Sequence, residues 1–150
     1  TVMNALEASG LNPQQLELEI TERLILDNTI ETADILRQLD RSGVRLSVDD
    51  FGTGYSALSY LKSYPFDTLK IDKSFVRDVI TEQDDAALVK AIINMAHSLD
   101  LRVIAEGVEE EAQTHFLQQE GCDYSQGYFY SRPLPEDAFR EWLETNHRVR

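Results

Sequence analysis

Ionisable and amide side chains recur at one kind of place in this sequence, the far end of a short apolar or β-branched run. Glu19 and Glu22 fall at the end of the run at 16–21, and Asp49 and Asp50 near the end of the run at 44–51. Lys70 and Asp72 close the run at 68–72, Glu106 and Glu109 the run at 102–107, and Gln126 lies in a run at roughly 122–130. Carboxylates gathered this densely repel one another unless cations sit among them. An all-oxygen donor set of this kind suits hard divalent cations such as Mg²⁺ or Mn²⁺. Thiolate or imidazole alternatives are missing. Cys122 is the single cysteine, and His97, His115 and His147 are scattered and read as ordinary surface residues.

Each position also has a plain structural explanation. Glu19 alternates with Leu18 and Ile20, as on the wet face of an edge strand. Asp49 and Asp50 suit a solvated turn or a helix cap. Glu106 and Glu109 suit the first turn of a helix, whose dipole favours acids. Gln126 suits a loop. Lys70, between Leu69 and Ile71, is the hardest to dismiss. A lysine inside an apolar strand wants a carboxylate partner, either in a buried structural pair or in catalysis. The plain explanations are each fair but jointly poor, because all five groups would have to reach one edge of a sheet by chance.

The elements that must carry these groups alternate. Helical stretches are predicted at 29–41, 55–63, 84–99, 109–120 and 135–145, with the tail of a further helix, lacking a capping residue, at 1–9. At 29–41 the apolar face is Ile30, Ala33, Leu36 and Leu39; at 84–99 it is Leu88, Ile92, Met95, Ala96 and Leu99. Gly10, Gly43 and Gly121 act as stops. Strand then helix, repeated, predicts parallel strands joined by crossovers. Such a sheet either stays open and doubly wound or closes into a (β/α) barrel. Ligands of both folds bind outside the carboxyl ends of the strands, where the acids fall. A barrel takes eight strands and about 250 residues, so the barrel alternative makes these 150 residues a portion of a larger domain.

Acids outnumber bases 27 to 14, for a net charge of −13. That balance argues against a groove tracking DNA or RNA phosphates and against an anionic membrane surface. No apolar run approaches the roughly 18 residues of a membrane span. Residues 1–10 lack the basic and apolar parts of a signal peptide. The lone cysteine fits a reducing compartment and excludes a disulfide framework. Gly52-Thr53-Gly54-Tyr55-Ser56-Ala57 matches the dinucleotide pattern G-x-G-x-x-G/A, and Asp72 follows Gly52 by 20 residues. A pyrophosphate there would sit beside Asp49 and Asp50, and the following helix meets Pro65 too soon. The glycines are better read as a tight loop over a metal site.

The motifs taken together resemble those of EAL domains, bacterial cyclic di-GMP phosphodiesterases with a TIM-like barrel. They are Glu19-Ile20-Thr21-Glu22, Asp49-Asp50-Phe51-Gly52-Thr53-Gly54, Leu69-Lys70-Ile71-Asp72-Lys73-Ser74-Phe75, Ala105-Glu106-Gly107-Val108-Glu109 and Gln126-Gly127-Tyr128-Phe129, running to Pro135. The resemblance covers the whole chain in order, and implies the last five strand-helix units of the barrel. The family's Glu-Ala-Leu and an Asn ligand are expected upstream of Thr1, and Glu7-Ala8-Ser9 is not that motif.

By this resemblance Glu19, Asp49, Asp50 and Glu106 are ligands of two divalent ions, Mg²⁺ or Mn²⁺, with Asp49 bridging. Lys70 orients the attacking water, and Glu106 also serves as general base. Glu109 is a supporting acid and Gln126 a substrate-side group. Glu22 anchors the loop at 50–56. The implied reaction is hydrolysis of cyclic di-GMP to linear pGpG. A degenerate, non-cleaving receptor or interaction module is the alternative. Expected partners are cyclic di-GMP, a second EAL domain in a homodimer and further signalling domains, in the cytoplasm or on the cytoplasmic side of a membrane.

Overall fold

The computed structural model describes residues 1–26, 30–53 and 58–146. Five strands form one parallel sheet: β1 (Glu17–Thr21), β2 (Arg45–Phe51), β3 (Thr68–Ile71), β4 (Arg102–Glu106) and β5 (Tyr124–Gln126). Their spatial order is their chain order, β1-β2-β3-β4-β5. That order decides between the two closures. A doubly wound sheet reverses its strand order at a switch point, and this sheet never reverses. Parallel strands that pair in chain order through helical crossovers are the wall of a TIM-like barrel.

The helices are α1 (Val2–Ser9), α2 (Glu22–Leu26), α3 (Ile30–Arg41), α4 (Leu58–Ser63), α5 (Lys73–Arg77), α6 (Gln83–Ser98), α7 (Glu111–Gln119) and α8 (Glu136–Thr145). Two were not expected from periodicity, α2 and α5, because five residues are too few to show a repeat. The expected helix starts at 29 and 55–57 lie outside the described residues. Thr1 does cap α1, its Oγ1 accepting from the Asn4 N–H at 3.4 Å, which corrects the uncapped tail. The last strand stops at Gln126, because residues 128–130 turn away.

Alternation along the strands separates two faces. Leu46, Val48, Leu69, Ile71, Val103 and Ala105 point to the helices and are fully buried. They meet Val76 of α5, Val89, Ile92, Ile93 and Ala96 of α6 and Leu117 of α7 in one core. Each of the valines, leucines and isoleucines among them contributes about 1.5–3 kcal/mol by leaving water. The packed face of α6 is therefore shifted from the predicted one, and Leu88 is exposed; so is Ile30 at the start of α3. By register, the opposite face of the sheet carries Glu19, Ser47, Asp49, Thr68, Lys70, Ile104, Glu106, Tyr124 and Gln126.

One local device occurs twice. Gly43 and Asp100, both at positive φ, turn the chain into β2 and β4. An aspartate immediately before the next strand then accepts, through its Oδ2, an N–H from the strand before it. Asp67 takes that of Leu46 at 2.9 Å, and Asp123 that of Val103 at 2.8 Å. A buried backbone donor is satisfied each time, so the same bracing holds β2 to β3 and β4 to β5.

Candidate active site

The polar face ends in a cluster built around Lys70. Its side chain is 5% exposed, and Nζ lies 2.7 Å from Glu19 Oε1, 2.7 Å from Glu106 Oε1 and 3.1 Å from Asp49 Oδ1. Three strands supply the three acids. Ordinary alternation would send Asp49 and Asp50 to opposite faces. The β2–β3 register prevents this: Val48 pairs with Leu69 and Phe51 with Ile71, so both aspartates stand opposite Lys70 in a bulge. Asp50 takes φ 54, the left-handed region that a non-glycine residue occupies at a cost. Asp49, Asp50 and Glu106 each then offer an oxygen, all within 4.8 Å of one another.

The electrostatics follow from this crowding. Burial alone would lower the Lys70 pKa, but the close carboxylates of Glu106, Glu19 and Asp49 outweigh it and raise the value. Lys70 is thus held as an ammonium, a donor and a positive charge rather than a base. The Asp50 carboxyl is pushed up by desolvation, then by the charges of Asp49 and Asp72, against the pull of Lys70. Since Asp50 is an exposed residue, the neighbouring acids are the cause its geometry supports best. Asp49 Oδ1 is buried and, although 3.1 Å from Nζ, accepts no hydrogen bond. A buried carboxylate oxygen left this way, in an all-oxygen set, fits a hard divalent cation.

The remaining expected residues divide. Glu22 is buried, and its Oε2 accepts from the Gly52 N–H at 3.1 Å, tying the start of α2 to the loop after β2. Residues 54–57 of that loop, and with them most of the G-x-G-x-x-A stretch, lie outside the described residues, as does His147. Gln126 pairs in register with Glu106 and so shares its face. Glu109 is exposed, and neither it nor Glu19 joins the three-carboxylate group. His97 contacts Asp123 and His115 contacts Gln119, both as surface pairs. Burial pushes the Cys122 thiol up to about 11, which makes it inert rather than nucleophilic.

Asp72, just past the end of β3, bears on the site although its sequence position marks it only as a strand-end acid. It presses on Asp50 electrostatically and caps α5, accepting from the Ser74 N–H at 2.9 Å. Burial pushes its pKa up, but the Ser74 hydroxyl and N–H more than reverse that. The D-x-S spacing was the available signal.

The EAL domain family model matches residues 1–133. The cyclic di-GMP phosphodiesterase NbdA of Pseudomonas aeruginosa is 49% identical over 142 residues, 95% of this chain and 18% of that protein. The solved PaMucR phosphodiesterase, in complex with c-di-GMP, superposes with a TM-score of 0.88 at 45% identity, covering 92% of this chain and 56% of that one. BlrP1 of Klebsiella pneumoniae, solved with c-di-GMP and either manganese or calcium, gives 0.82 at 36% identity, over 88% of this chain and 34% of that one. The chain spans 18% to 20% of the length of the first curated relatives it matches.

Proposed function

The chain belongs to the EAL domain family, and on that premise we propose that it is the C-terminal portion of a domain that hydrolyses cyclic di-GMP to linear pGpG. The observation that carries this is the convergence of Asp49, Asp50 and Glu106 beside Lys70 at the carboxyl ends of parallel strands. Glu19, Asp49, Asp50 and Glu106 would hold two divalent ions, Mg²⁺ or Mn²⁺, with Asp49 bridging. Such ions supply a nucleophilic water at neutral pH and neutralise charge on the departing oxygen. The fit rests on the oxygen donor set and on the buried Asp49 Oδ1 that accepts no hydrogen bond.

The chain's own residues do the rest. Lys70, held charged, donates to the attacking water and orients it. Glu106 takes the proton from that water. Glu109 supports the acids from the loop after β4, and Gln126 hydrogen-bonds the substrate from β5. Glu22 anchors the loop after β2 at Gly52. The whole protein is a homodimer through this domain, carries further signalling domains, and works in the cytoplasm or on the cytoplasmic side of a membrane. No helix among the described residues is long and apolar enough to cross one.

The test uses the full-length protein with cyclic di-GMP, following pGpG by chromatography. Mg²⁺ or Mn²⁺ should support turnover, Ca²⁺ should do so poorly because it prefers looser coordination, and chelation should abolish it. Full activity after exhaustive chelation would overturn the metal-dependent scheme. Tight nucleotide binding without pGpG would identify a receptor instead.

A further inference from the structure

Gln113 lies on α7, away from the acid cluster, and is 3% exposed. Its amide is used completely. Oε1 accepts from the Glu109 N–H at 2.8 Å and the Glu110 N–H at 3.0 Å. Nε2 donates to the Val76 carbonyl at 3.2 Å and the Arg77 carbonyl at 3.0 Å. A glutamine near a helix start often accepts from the preceding N–H groups, and that half is ordinary capping. The donor half is not, because Val76 and Arg77 end α5, 37 and 36 residues earlier in the chain. One buried side chain therefore ties the segment after β4 to the helix after β3.

Those two segments carry the chemistry. Glu106 ends β4, and Glu109 follows three residues later. Lys70 lies on β3, and α5 begins at Lys73. The other end of the joint is equally close: Gly107 sits at φ 71, and a Cβ there would come within 2.5 Å of Lys73 Cβ. Val108 is fixed as well, donating its N–H to the Gln126 carbonyl and accepting from the Phe129 N–H, both at 3.0 Å. The segment from Glu106 to Glu110 is thus gripped by Lys73 at its start and by Gln113 at its finish.

We propose that Gln113 is a positioning residue, holding the segment that bears Glu106 at the distance from Lys70 and Asp49 that the metal-bound reaction needs. This rests on the phosphodiesterase reading above. In the full-length protein, Gln113→Met removes all four hydrogen bonds at nearly constant volume, and Gln113→Glu keeps the acceptor but opposes the Val76 and Arg77 carbonyls. Groups that hydrogen-bond a metal ligand typically contribute 10–100-fold in affinity or activity; Gln113 acts through the backbone that follows Glu106, so the low end of that range is expected. The expected result is Mn²⁺ affinity, read by electron paramagnetic resonance, weaker by about 10-fold. At saturating Mn²⁺, kcat should fall by about 10-fold while KM for cyclic di-GMP stays within about 3-fold. Gln113→Glu supplies the same readouts if Gln113→Met does not fold. A lower melting temperature with unchanged Mn²⁺ affinity and kcat would reduce Gln113 to a helix cap and overturn the proposal. If the unaltered protein binds Mn²⁺ but does not cleave cyclic di-GMP, the reaction reading fails, and the Mn²⁺ affinity of the variants still decides the role of Gln113.

Discussion

Replacing Lys70 by methionine removes the one positive charge that three acids share at almost constant volume. The three do not count equally. Glu19 is 54% exposed, so water largely compensates it and its pair is worth little. Asp49 and Glu106 are only 20% and 19% exposed, and they would face each other with no cation between them. Breaking a buried pair from one side costs about 3–5 kcal/mol; because neither acid is fully buried, about 3 kcal/mol is expected in metal-free protein. The assay is thermal unfolding of full-length Lys70→Met in chelator and again in saturating Mn²⁺. Most of the deficit should vanish with metal, since a divalent ion bound to the same oxygens stabilises the folded state. Turnover should not recover, with kcat down by about 10²-fold or more and substrate affinity little changed. An equal deficit with and without Mn²⁺ would show that these acids are not a cation site. Turnover close to that of the parent would make Lys70 a structural ion pair only. Because the Lys70 pKa is raised in the fold, its contribution is fully present below the ordinary value of 10.5 and is lost only as pH rises through the higher folded value. Unfolding between neutral pH and about pH 9 should therefore show no titration of this group.

Three further outcomes are expected. Gly127→Ala would drive a Cβ to 2.0 Å from the Val108 carbonyl oxygen, a backbone atom that cannot yield, and should destabilise by about 3 kcal/mol. Gly121→Ala, at φ 79 with open space around it, should cost nearer 1 kcal/mol, and equal melting temperatures for the two would refute the contact argument. Burial alone would raise the Asp123 pKa, but His97 and the Val103 N–H lower it below 3.8, so its stabilisation is present above that pH and lost as pH falls through the folded value. Asp123→Asn should thus be less stable at neutral pH and flatter in its acid unfolding profile, and an unchanged profile would remove Asp123 from that role. Residues 1–150 expressed alone should be inactive and associate or aggregate, because β1 and β5 each pair on one edge only among the described residues; size exclusion with a turnover assay would refute this by finding an active monomer.

Much of the architecture is local and therefore legible in the sequence. Alternating runs predicted parallel strands and crossover helices, and the position of Glu19, Asp49, Lys70 and Glu106 at strand ends predicted one polar edge. The short helices α2 and α5 escaped because a single turn carries no period. Alternation alone left an open sheet and a barrel wall both open, since strand order is a property of pairing rather than of any one segment; the motifs' resemblance to EAL domains pointed to the barrel, and the strand order agrees.

What only the tertiary structure decided is how the acids meet. Read as a regular strand, β2 sends Asp49 and Asp50 to opposite faces. The bulge against β3 brings both opposite Lys70, and it exists because Val48 and Phe51 both find pairs on another strand with two residues left over between them. Gln113 is silent in the sequence for the same reason: a glutamine three residues after a helix start predicts a cap, and nothing local announces that its amide reaches the end of α5. Periodicity and residue type are written along the chain, whereas register and long-range hydrogen bonds depend on which segments pack together, and packing fixes those only when the whole sheet forms.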